Sequence, residues 1–133
     1  MSQNTTSHAR PLSPHLQIYR WQNTMILSIL HRASGVAMVA GTLLLVTWLS
    51  ANAYDPAFAA TLNGFLAGFI GKLMLFGWSA AFYFHLCNGV RYLLLDSGKF
   101  FSVENARIAT FAVAGTSGFL TLLTWIIVLG GSK

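Results

Sequence analysis

Charge is scarce in this chain. Only 8% of its 133 residues are charged, and just three of those are acidic, whereas soluble domains carry about a quarter charged residues. With 55% hydrophobic residues and a mean hydropathy of +0.61, that shortage excludes an ordinary water-facing surface and indicates a membrane protein. Cysteine is nearly missing too. Cys87 stands alone, which excludes an internal disulfide and any cysteine-rich zinc spacing. The opening "MSQNTTSHAR" lacks the apolar core of a cleaved secretory signal. It also lacks the Arg-rich amphipathic pattern of a mitochondrial transit peptide, so a bacterial inner membrane is expected in preference to the mitochondrial one. No ten-residue alternation of apolar and polar positions occurs, which excludes a membrane β-barrel. There are no repeats and no low-complexity segments.

What is present is long apolar runs between charged residues. Arg32 and Asp55 bracket 22 residues, Lys72 and Arg91 bracket 18, and Arg107 and Lys133 bracket 25. A helix needs about 20 apolar residues to cross a bilayer core. The second run is extended by Phe65–Gly71 before it and Tyr92–Leu95 after it. The expectation is an all-α membrane protein with three transmembrane helices, near 26–52, 64–95 and 106–130. The three helices form one transmembrane domain over 26–130, and residues 1–25 precede it as an extended segment. "SANAYDPAF" links the first pair through Asp55 and Pro56. "DSGKFFSVENAR" links the second pair, with Ser102 as a candidate cap and Asn105 three residues on.

The net charge of +5 reads as a topology signal, not as nucleic-acid binding. Arg10, Arg20, Arg32, Arg91, Lys99 and Arg107 fall on one side of this layout, and only Lys72 and Lys133 on the other. The positive-inside rule therefore puts the N-terminus in the cytoplasm (or matrix) and the C-terminus on the opposite side.

Two polar features interrupt the apolar runs. In "SILHRASG", Ser28, His31, Arg32 and Gly35 follow the i, i+3, i+4, i+7 pattern of one helix face. At the helix end this can be plain interfacial chemistry: Arg32 snorkelling to lipid phosphate, His31 lying near the surface, and Ser28 capping. Equally, a hydroxyl and a guanidinium at low dielectric can grip a carbonyl or an acidic group. His85 is too deep to snorkel. It precedes Asp96 by eleven residues, about 16 Å along a helix. Gly89 follows one turn later and leaves room for a flat group. Haem ligation by a neutral imidazole and a hydrogen bond to a neighbouring helix are both open. No second histidine is expected at that depth.

Three features together are recognisable: "RPLSPHLQIYRWQNTMILSILHRASG", "FHLCNGVRYLLLDSG", and the three-helix layout. They resemble the cytochrome b subunit family of succinate dehydrogenase, the large membrane anchor of succinate:quinone oxidoreductase. The first segment matches the family's RPLSPHLxIY followed by SILHRxSG. The second matches HxxxGxRHxxxD, except that Tyr92 stands where a second histidine is usual. The resemblance implies that His85 is an axial ligand of a haem b iron, with the other ligand supplied by a second membrane-anchor subunit. It implies that His31 and Arg32 lie on the haem propionate side. Ser28 and Arg32 would line the ubiquinone site, with Arg91 and Asp96 as weaker candidates at the same rim. It also implies an iron–sulfur subunit and a flavoprotein subunit as partners, which would oxidise succinate elsewhere, and membrane lipid around the helices. Two alternatives are the anchor of a quinol:fumarate reductase and a structural anchor without a redox role. Such a structural anchor gives no reason for His85 or the Ser28–Arg32 cluster.

Overall fold

The structure is a computed structural model and describes residues 23–98 and 103–131. The N-terminal segment, Lys99, Ser102 and Lys133 lie outside these residues. Four helices follow in order: α1 (Asn23–Tyr54), α2 (Pro56–Ala67), α3 (Phe69–Asp96) and α4 (Val103–Gly131). No strand occurs among the described residues. Three stretches are long and apolar enough to cross a membrane: Met25–Tyr54, Phe69–Asp96 and Arg107–Gly131. The all-helical, three-span architecture expected from the sequence is thus the observed one.

α2 is an addition to that expectation. Asp55 accepts a hydrogen bond from the Phe58 amide at 3.0 Å, and Pro56 occupies the first turn. A carboxylate cap followed by proline is a strong helix start, so the link folds into a short helix of its own. The chain then breaks at Gly68, whose backbone is extended (φ −68°, ψ 170°). The sequence predicts a single helix from about 64, whereas residues 64–67 close α2 and α3 begins at 69. Uniform apolarity hides such a break, because it leaves the hydropathy profile unchanged. At its far end α3 stops with the amides of Ser97 and Gly98 bonded back to the carbonyls of Leu93 and Leu95, both at 3.1 Å. Gly98 takes φ 76°, a left-handed conformation that costs glycine nothing.

α3 packs between α1 and α4. The interior it shares with them is unusual in content. The buried apolar residues are Leu27, Ala51, Ala59 and Val113, while the buried polar ones are Ser34, Asn88, Arg91, Ser117 and Thr121. The outside carries the large apolar side chains, Val36, Leu43, Phe69, Leu93, Ile126 and Ile127 among them. In lipid there is no hydrophobic drive to bury leucine, and small or polar residues hold helices together instead. Specific ties show this. Tyr83 Oη and Thr124 Oγ1 lie 2.8 Å apart, and Trp125 Nε1 donates to Ser79 Oγ at 2.9 Å, joining α3 to α4. Trp48 Nε1 donates to Asn63 Oδ1 at 2.7 Å and holds α2 on α1.

Candidate functional site

His85 lies mid-way along α3, and α1 presents "HRASG" to it. The two imidazoles of His31 and His85 stack with centroids 4.0 Å apart and planes 14° from parallel. His85 Nδ1 lies 3.0 Å from Ser34 Oγ and 3.2 Å from the His31 carbonyl oxygen. Ser34 Oγ in turn donates to that carbonyl at 2.8 Å. Gly35 allows the approach: a Cβ there would stand 3.3 Å from His85 Cε1, tight enough to push the ring away. Both readings of His85 left open by the sequence meet here. It does bond to a neighbouring helix, but through Nδ1 only, and Nε2 makes no hydrogen bond to any described residue.

The expectation that no second histidine shares the level of His85 is not met: His31, on the third turn of α1, which begins at Asn23, stacks directly on it. The flat group lying over Gly89 is the His31 ring itself, since a Cβ on Gly89 would stand 4.0 Å from His31 Cε1. Tyr92 closes the cluster, with its ring 5.3 Å from that of His31 and tilted by 58°. The residue in place of the family's usual histidine thus packs against the first-helix histidine.

The remaining candidates are spread along the same end of the bundle. Ser28 is half-buried one turn before Arg32, and Arg32 is exposed. Asp96 is exposed at the end of α3. Arg91 is 5% exposed and its Nε has no partner. It lies over the Tyr92 ring at 5.6 Å and lines a cavity of about 470 Å³ between α3 and α4. The structure therefore joins His31 to His85 directly and reaches Arg91 through Tyr92. Ser28 and Arg32 keep their shared helix face, and neither makes a hydrogen bond to the histidine pair.

Two residues escaped the sequence reading. Ser34 had a signal, since "SG" after the histidine and arginine marks a place where helices can come close. Asn88 had a weaker one, an amide three residues past His85. It is 0% exposed, and neither its Nδ2 nor its Oδ1 has a partner. Among the described residues no group of three or more His, Cys, Asp or Glu could hold a bare metal ion.

The donor set does fit a haem. An imidazole whose Nδ1 is bonded and whose Nε2 is free suits axial ligation. The stacked His31 cannot serve as the opposite ligand, because two rings face to face on one side of a site cannot point nitrogens at one iron from opposite faces.

The chain is similar to known proteins over most of its length. Residues 6–124 match the family described as the succinate dehydrogenase/fumarate reductase transmembrane subunit. The succinate dehydrogenase cytochrome b556 subunit of Rickettsia felis is 39% identical over 117 residues, covering 88% of this chain and 91% of that protein. The corresponding subunit of Paracoccus denitrificans is 37% identical over 118 residues, covering 89% and 91%. The mitochondrial cytochrome b560 subunit of Mus musculus is 36% identical over 112 residues, covering 81% and 65%. With most of its length matched and with three apolar helices, the chain belongs to the succinate dehydrogenase/fumarate reductase transmembrane subunit family.

Proposed function

We propose that this chain is the membrane-anchor and haem b-binding subunit of a succinate:quinone oxidoreductase, and that it helps to form the site where ubiquinone is reduced. The observation that carries the reading is His85, an imidazole in the middle of an apolar helix with one nitrogen tied to α1 and the other free. The relatives, cytochrome b556 subunits of succinate dehydrogenase, support it. In this reading a second anchor subunit supplies the other axial ligand. An iron–sulfur subunit and a flavoprotein subunit bind on the cytoplasmic side. The chain sits in a bacterial inner membrane as one transmembrane domain over 26–130 behind an N-terminal segment.

Haem b, when bound, supplies a one-electron carrier in the apolar layer. His85 would hold its iron, and His31 and Arg32 would lie on its propionate side. The quinone chemistry rests on the positive end of α1. Reduction of ubiquinone adds two electrons and two protons, and negative charge develops on the carbonyl oxygens before the protons arrive. Arg32 and Ser28, one turn apart, offer a guanidinium and a hydroxyl to that charge at low dielectric, where fixed donors are most effective. Arg91 and Asp96 contribute at the same rim. The apolar outer faces of the helices accommodate the isoprenoid tail and the lipid.

The test separates the quinone step from succinate oxidation. In the assembled complex, Ser28→Ala and Arg32→Leu should slow quinone reduction while water-soluble acceptors are still reduced by succinate. A hydrogen bond to a developing charge is worth roughly 1.5–3 kcal/mol, or about ten- to a hundred-fold in rate. Arg32→Leu should be the worse of the two. Arg32→Lys should also impair the step, because an ammonium cannot reproduce the planar fork. Normal quinone reduction in both Arg32→Lys and Ser28→Ala would mean that Arg32 merely anchors the helix to lipid.

A further inference from the structure

The hydrogen bonds around His85 fix which of its nitrogens carries the proton. A backbone carbonyl can only accept, and the His31 carbonyl lies 3.2 Å from His85 Nδ1. Nδ1 is therefore the protonated nitrogen. Ser34 uses its single hydroxyl proton on the same carbonyl, at 2.8 Å. Its oxygen is then left to accept from Nδ1–H, at 3.0 Å. The outcome is a closed triangle of Nδ1–H, Ser34 Oγ and the His31 carbonyl, with the lone pair of His85 on Nε2.

From this we infer that Ser34 is a positioning residue for the haem: it holds His85 in the Nδ1–H tautomer and in the rotamer that presents Nε2 to the iron. The inference rests on the proposed role of His85 as axial ligand. Serine bonding back to its own helix is common and would imply nothing alone. Here, however, Ser34 is 7% exposed and its hydroxyl bridges two helices 51 residues apart in sequence. Gly35, next in the chain, leaves only the space the ring occupies. Ser34 and Gly35 thus act as one device, a hydroxyl that aims the imidazole and a missing side chain that admits it.

Partners that orient a ligating histidine also raise its basicity, and losing one typically weakens metal binding about ten- to a hundred-fold. A more basic ligand favours ferric over ferrous iron. Ser34→Ala leaves only the carbonyl to hold Nδ1–H, so the haem should be lost at least about ten times more readily and its reduction potential should rise. A tenfold selective loss of ferric affinity corresponds to about 59 mV for one electron.

The experiment uses the complete complex in four forms: wild type, Ser34→Ala, Ser34→Thr and His85→Ala. Redox titration and the rate of haem loss are followed optically. The expected result is a low-spin haem in Ser34→Ala with a raised potential and faster loss, restored toward wild type by the hydroxyl of Ser34→Thr. If both Ser34 variants match wild type while His85→Ala loses its low-spin haem, the inference on Ser34 is wrong and the ligand assignment stands. If Ser34→Ala and Ser34→Thr are shifted alike, packing and not the hydroxyl is responsible, and the inference is again wrong. If His85→Ala keeps a low-spin haem, the ligand assignment itself fails and Ser34 falls with it.

Discussion

Asn88 occupies the most enclosed position of the helix assembly, and neither of its amide atoms finds a partner. A buried polar group left unmade costs roughly 1–3 kcal/mol, and Asn88, at 0% exposure, is shut off from bulk solvent. Asn88→Leu keeps the same branching and number of side-chain heavy atoms, with bulkier methyl ends, and removes the unpaired amide. It should therefore leave the thermal stability of the detergent-solubilised complex unchanged or raise it. A clear fall in melting temperature would show that the amide is bonded once the complex is assembled. The residue scale is also where the sequence was least legible. His85 was readable because an ionisable side chain deep in an apolar helix demands explanation. Ser34 and Asn88 were not, because serine and asparagine are unremarkable by composition. Their roles depend on which helix lies opposite, a fact no single segment contains. The pairing of His31 with His85 was missed for a related reason: it depends on how α1 and α3 are set against each other, and Arg32 beside His31 reads as an interface.

At the scale of elements, the spans were legible because each is bracketed by charges and each meets the bilayer requirement, the second with the help of its apolar flanks. α2 was not foreseen as a helix. Its start was nonetheless visible as Asp55 followed by Pro56, a pair that suits a turn as well as a helix start. The bond from the Phe58 amide to Asp55 makes a specific prediction. Asp55→Ala should cost α2 about 1 kcal/mol, seen as hydrogen exchange of the 58–61 amides about fivefold faster, with exchange in the middle of α3 unaltered. Equal protection in the variant would mean that α2 is held by the Trp48–Asn63 bond and packing alone. Close approach governs the α1–α3 contact at two levels. Gly35 meets the His85 ring, and nearly two turns further along Gly41 lies directly beneath the indole of Trp78. The helix pair is thus clasped at two glycines, one beneath the histidine and one beneath the tryptophan.

On the scale of the whole molecule, an apolar exterior around a polar interior suits a subunit that lives in lipid among partners. The topology expected from the basic residues places the histidine cluster, Arg32 and Arg91 toward the positive side. Only His31 and His85 are histidines among the described residues, and their stacked rings leave a single axial ligand from this part of the chain. The chain expressed alone should therefore hold no six-coordinate low-spin haem, and co-expression with the second anchor subunit should restore it. A bis-histidine spectrum from the isolated chain would contradict that division of ligands. The central claim, that His85 Nε2 binds the haem iron, is tested most directly by the reduced-minus-oxidised optical spectrum and the low-spin electron paramagnetic resonance signal of the assembled complex carrying His85→Ala. The account predicts a lost or high-spin haem with the soluble subunits still partly attached; an unchanged low-spin signal would contradict it.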